Sequence, residues 1–102
     1  MAEALLQATS MRHDALRDAL RLLGAAQRGA PADPLRARHA QRAVLQESGR
    51  LRAAGQAHVH LDAVALACAQ LAAGLSPGQV KLAACAHILE AHLPGTGRAQ
   101  WD

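Results

Sequence analysis

Alanine is the feature that most constrains how this chain can fold, because it makes up 26 of the 102 residues. It has the highest helix propensity of all residues, and the 16 leucines that accompany it are also good helix formers. Strand-favouring residues are scarce, with four valines, one isoleucine and neither tyrosine nor phenylalanine. The composition therefore predicts a small all-α domain and argues against a β-sandwich or a disordered chain.

Apolar residues recur at three- and four-residue steps and predict four helices. We expect them at about Ala2–Ala26, from Pro34 to Ser48 or Ala54, from near His58 to Ala73, and from Pro77 to about Leu93. The predicted architecture is a four-helix bundle with an apolar C-terminal helical hairpin. It forms a single domain over 1–93, followed by a short tail over 94–102 in which Trp101 either docks or stays in water.

Two local patterns predict where helices begin. Asp33 followed by Pro34 is typical of a helix start, because the carboxylate accepts a bond from a free amide and proline suits the first helical position. Ser76, Pro77 and Gln79 have the spacing of a capping box, which predicts a fourth helix that begins at Pro77. Gly24 or Gly29 is expected to end the first helix.

Positive charge is concentrated in the second helix, within a chain of formal net charge +3. Arg36, Arg38 and Arg42 lie close together there, and they are candidates for binding nucleic acid or an acidic partner. The alternative is an arginine-rich face that is simply solvated. Aromatic residues for stacking on bases are lacking in this region, which argues against single-strand binding.

A histidine in the same helix suggests another function. His39 is followed by a basic residue three positions later, Arg42, by a small residue, Ala43, and by Gly49. Over roughly a dozen residues this spacing resembles histidine phosphotransfer domains, which are four-helix bundles with an exposed phosphorylated histidine. The resemblance implies that His39 accepts a phosphoryl group beside Arg42. The chain has Arg42-Ala43 where the family usually has Lys-Gly, and Gln41 where the family keeps an apolar residue.

The six histidines and two cysteines do not form a recognisable metal motif. His58 and His60 share a face only if that piece of chain is extended, because residues two apart on a helix point in different directions. Cys68 and Cys85 are expected to be reduced core residues that neighbour each other across the helical hairpin. We expect no metal and no cofactor, and the lack of a signal sequence or long apolar run predicts a cytoplasmic protein without membrane contact.

These observations favour a non-enzymatic function. We expect a helical protein-interaction module, such as a small adaptor, chaperone-like or regulatory protein, that acts as a homodimer because its own core is thin. The expected apolar interface lies on the last two helices, at Val64, Leu71, Val80, Ile88 and Leu89. Nucleic-acid-associated regulation through the second helix is the alternative, and histidine phosphotransfer is the third possibility.

Overall fold

The computed structural model describes residues 2–93, with side chains from residue 10 onward. Over this range the chain is an all-α bundle of four helices. They are α1 (Ala2–Gln27), α2 (Pro34–Ala53), α3 (Val59–Ala72) and α4 (Gln79–His92). The tail at 94–102, and with it Trp101, lies outside the described residues.

The helices run alternately up and down and pack in a ring. Each helix contacts the next one along the chain, and α4 returns to contact α1. The core is built mainly from leucine, alanine and valine on the inward faces of all four helices, as the apolar periodicity predicts. Its largest fully buried apolar side chains are Leu16, Leu23, Val44, Leu61, Val64, Cys68 and Leu89.

The predicted start of α2 is confirmed. Asp33 adopts an extended conformation, its Oδ1 accepts a hydrogen bond of 3.1 Å from the amide of Leu35, and Pro34 occupies the first helical position. Gly24 lies within α1, and α1 ends ahead of Gly29, whose φ of 89° is a left-handed conformation suited to glycine. Gly49 is tolerated inside α2, so this helix takes the longer of its two predicted extents.

The predicted start of α4 is wrong by two residues. The helix begins at Gln79, and Gly78 precedes it with φ 94° and ψ 150°, a conformation open essentially to glycine alone. No capping box forms, because the Gln79 side chain is used elsewhere: its Nε2 donates to the backbone oxygen of Gln27, 3.2 Å away. This bond joins the beginning of α4 to the end of α1.

The outer face of α3 is more open than its sequence predicts. The helix is apolar nearly all round, which indicates burial on more than one side. Six of its residues are buried, yet Val59 is 70% exposed and Leu66 is 53% exposed. Among the described residues, none of the helices has both the length and the apolar character that crossing a membrane requires.

Candidate functional site

The α1–α2 surface is the outer face of the first helix pair. Its floor consists of alanines, which leave shallow grooves between the two helices: Ala15, Ala19, Ala40 and Ala43. Two grooves of about 230 and 400 Å³ lie between the helices and share Ala15, and a third of about 500 Å³ is lined by α2 alone and shares Gln46 with the second. The larger side chains around the floor are Met11, Leu35, Arg36, Arg38, His39, Arg42 and Leu45.

Apolar and cationic side chains are interleaved on this surface. Leu35, Arg38, Arg42 and Leu45 follow one another at helical spacing along the solvent side of α2, with both leucines about half exposed. Across the groove, Met11 of α1 is 72% exposed. The α1–α2 surface therefore offers a positively charged centre flanked by apolar groups.

The three arginines predicted as binding residues are divided between two grooves: Arg36 lines the smallest groove, and Arg38 and Arg42 line the largest. Arg36, Arg38 and Arg42 are all exposed, and none of them pairs with a carboxylate among residues 10–93. His39 is exposed as well and lines the smallest groove beside Arg36 and Asp18. Asp18 is held by Arg21 at 2.6 Å, so the nearest carboxylate is already neutralised.

The predicted apolar interface is corrected by the structure. Val64, Leu71 and Leu89 are buried in the chain's own core and do not reach its surface, whereas Val80 is 87% exposed and Ile88 is half-buried. Apolar residues occur on almost every side of α3 and α4, so the sequence pattern does not distinguish the buried positions from the exposed ones. Of the five, only Val80 and Ile88 reach the surface of the folded chain.

A buried carboxylate lies behind the α1–α2 surface. Glu47 of α2 is 1% exposed, and Arg50 grips it with two hydrogen bonds of 2.9 Å, from Nε to Oε1 and from Nη2 to Oε2. His92 of α4 places its Nε2 2.6 Å from Oε2, and Arg12 of α1 places its Nε 3.2 Å from Oε1. Glu47 therefore connects three of the four helices at one junction.

The surroundings of Glu47 favour its charged form. Hydrogen bonds from Arg50, opposed by burial and assisted by His92 and Arg12, lower the pKa of Glu47 from 4.5 to about 2. The same contact raises the pKa of Arg50. The carboxylate is thus ionised at every physiological pH, and its pairing stabilises the fold.

Three more histidines surround this junction. The ring of His58 lies 5.9 Å from that of His92 and 5.8 Å from that of His60, in edge-to-face arrangements. His58 is the extended residue before α3, with φ −126° and ψ 91°, whereas His60 is already helical, so the two rings meet although this piece of chain is not extended throughout. Burial, followed by Arg12 and Arg17, lowers the pKa of His13. Within the described residues, no three His, Cys, Asp or Glu side chains are grouped to hold a metal ion.

The role of Glu47 was not predicted from the sequence. The signal was present, because Glu47 falls on the buried stripe of α2 with Ala40, Val44 and Leu51 at steps of four, three and four residues. A charged residue on such a stripe must find buried partners, since an unpaired buried charge is very costly.

A second polar contact ties α2 to α3. The Ser48 hydroxyl donates to Asp62 Oδ1 at 2.8 Å, and Arg52 Nη2 lies 3.2 Å from Asp62 Oδ2. Both Cys68 and Cys85 are buried free thiols, and burial followed by the nearby Cys85 raises the pKa of Cys68 to about 12. These cysteines are therefore poor nucleophiles in the folded chain.

Comparisons with protein-family models, with curated proteins and with solved structures found no match to this chain.

Proposed function

We propose that the protein is a helical interaction module whose α1–α2 surface binds an acidic, amphipathic segment of another protein. The observation that carries this proposal is the interleaving of unpaired arginines with exposed apolar side chains on one face. Carboxylates of a partner would pair with the exposed arginines Arg36, Arg38 and Arg42. Apolar side chains of the same partner would pack against Met11, Leu35 and Leu45. An acidic amphipathic helix supplies both.

The geometry suits a helix lying along α2. Leu35 and Leu45 are separated by about 15 Å of helix, and Arg38 and Arg42 lie between them. The alanine floor lets a second helix approach closely, because small residues leave room for its side chains. A helix with two leucines about 11 positions apart and glutamates between them matches this spacing.

A nucleic acid would contact the arginines of this surface but not its apolar side chains. Phosphates require spaced positive charge, but they gain little from the exposed leucines and Met11 at the ends of the surface. The apolar side chains therefore favour a protein partner, and binding to nucleic acid becomes an outcome that the experiment separates.

The test uses a fluorescein-labelled acidic helical peptide with the leucine spacing given above and a scrambled peptide of the same composition. We expect the designed peptide to bind at least about tenfold tighter than the scrambled one, which is about 1.4 kcal/mol. The double variant R38Q/R42Q and the variant L45A each weaken binding. R28Q is the matched control, because Arg28 is exposed in the loop after α1 and lines none of the three grooves.

Three outcomes contradict the proposal. The two peptides bind equally, R28Q weakens binding as much as the double variant R38Q/R42Q does, or a 20-base-pair DNA duplex displaces the peptide. In the last case the affinity for the duplex falls steeply with salt and is unchanged by L45A, and nucleic acid is the partner.

We also propose that two copies associate through the outer faces of α3 and α4. These faces lie opposite the α1–α2 surface in the ring and carry the exposed apolar residues Val59, Leu66 and Val80. The charged residues of α3 and α4 within the described chain are Asp62, Lys81 and Glu90, and Asp62 is paired with Arg52, so this face carries little net charge and suits a like surface better than an acidic partner. Native mass spectrometry tests this: wild type is a dimer, and the double variant L66E/V80E is a monomer. A monomeric wild type contradicts it.

Phosphotransfer through His39 remains the third predicted function. Its exposure beside Arg36 leaves the imidazole open to a phosphoryl donor. Phosphoryl uptake from a small-molecule phosphodonor that is lost in H39Q supports this function, and uptake that survives the substitution contradicts it.

A further inference from the structure

Arg12 belongs both to the buried junction and to the α1–α2 surface. Its side chain lines the groove formed with Met11, Ala15, Ala43 and Gln46, and it is 30% exposed. Its Nε is buried and lies 3.2 Å from Glu47 Oε1. One guanidinium therefore stands between a buried carboxylate and the site where an acidic partner is proposed to dock.

Arg12 is the least firmly held of the three cationic or imidazole groups around Glu47. Arg50 makes two hydrogen bonds of 2.9 Å and His92 makes one of 2.6 Å, and together they engage both carboxylate oxygens. The Arg12 Nε makes no hydrogen bond to any group of the described residues. If Arg12 moved away, Glu47 would lose an attractive charge but keep all its hydrogen bonds.

The charge of His92 determines how strongly Arg12 is held at the Glu47 carboxylate. His92 faces Glu47 and Arg50 of α2, His58 of α3, and the Arg12–His13 pair of α1. When His92 is neutral, the charges of Arg50 and Arg12 balance Glu47. A protonated His92 adds a second positive charge next to Arg12, which repels it and replaces it as a counter-charge.

We propose that Arg12 is a partner-binding residue, and that it turns from Glu47 to a carboxylate of the docked partner when His92 becomes protonated. This inference rests on the proposed function of the α1–α2 surface. It names a fourth cation for that surface, next to Met11, and makes acidic-partner binding tighter at mildly acidic pH. By linkage, docking of the partner draws a proton onto His92.

The experiment measures the Kd of the designed acidic peptide by fluorescence anisotropy at pH 8.0 and pH 6.0. All proteins carry H39Q, because His39 is a second imidazole on the same surface. Peptide carboxylates stay ionised at both pH values. We expect binding at pH 6.0 to be about fivefold tighter than at pH 8.0, a gain of about 1 kcal/mol.

Two further substitutions identify the residues responsible. R12Q weakens binding at pH 6.0 and removes the pH-dependent gain, whereas R12K, which keeps the charge, preserves part of it. H92Q also removes the gain, and H87Q is its control because His87 is exposed on the same helix. Circular dichroism at both pH values confirms that each variant is folded, so that loss of binding is not loss of structure.

The outcomes separate this inference from the proposed function. If the R12Q protein keeps the full pH gain, or if the H39Q parent shows none, the role of Arg12 is refuted while peptide binding itself stands. If the parent does not prefer the designed peptide over the scrambled one at either pH, the proposed function fails, and the role of Arg12 fails with it.

Discussion

Replacing Glu47 by glutamine tests the most consequential contact in the bundle. Glutamine keeps the shape of the side chain and removes its charge, so it resembles the protonated carboxyl. The contacts of Arg50, His92 and Arg12 hold the pKa of Glu47 at about 2 instead of 4.5. Because each pKa unit corresponds to about 1.4 kcal/mol, the charged form contributes about 3 kcal/mol to the free energy of unfolding.

The sign of the pH dependence follows from the lowered pKa. The contribution of Glu47 is complete above the unfolded pKa of 4.5, and it is lost as the pH falls from 4.5 through about 2. Wild type should therefore exceed E47Q by about 3 kcal/mol at pH 7, and the difference should shrink steadily below pH 4.5. For a small domain whose total stability is about 5–15 kcal/mol, this loss is large.

The assay is urea unfolding followed by circular dichroism at 222 nm, at pH 7, 5, 4 and 3. E90Q is the matched control, since Glu90 is exposed on α4 and its substitution should change stability by less than about 0.5 kcal/mol. A difference between wild type and E47Q below about 1 kcal/mol at pH 7, or one that stays constant down to pH 3, would refute this account of the junction.

Further predictions concern the helix ends and the cysteines. D33A removes the bond to the Leu35 amide and should lower the free energy of unfolding by about 1 kcal/mol, and an unchanged thermal midpoint would contradict this role of the cap. G78A forces a side chain into φ 94° although space around it is open, so it should cost about 1–3 kcal/mol from backbone strain alone, and a neutral result in urea unfolding would show that the loop relaxes freely. Cys68 and Cys85 are buried with raised pKa values, so a thiol reagent at pH 8 should modify them slowly in the native protein and rapidly in urea, and fast native labelling would contradict their burial.

The predictions that succeeded depend on local chemistry. Asp33 and Pro34 start α2 because the capping bond spans only two residues, which neighbours in sequence can satisfy without the rest of the fold. The exposure of Arg36, Arg38 and Arg42 was predictable for a similar reason. Guanidinium groups remain exposed to water unless they pair with a buried acidic group, and α2 contains few acidic residues.

The predictions that failed depend on contacts between distant segments. α4 begins only at Gln79, after the left-handed Gly78, and the Gln79 side chain reaches Gln27, 52 residues away in sequence. Val64 and Leu89 were expected at an interface and lie in the core, because α3 and α4 are apolar on almost every side. A helix without a polar face does not reveal which side turns inward.

The sequence by itself determined that this chain forms four helices and that α2 begins after Asp33, at Pro34. It also determined that one helix presents arginines to solvent. These features follow from propensity, periodicity and capping, which act over a few residues. Only the tertiary structure decided that Glu47 meets Arg12 and His92 at one junction, and that Met11 completes the apolar and cationic surface. Those groups lie on different helices, and their meeting depends on how the helices turn about their axes when the core packs.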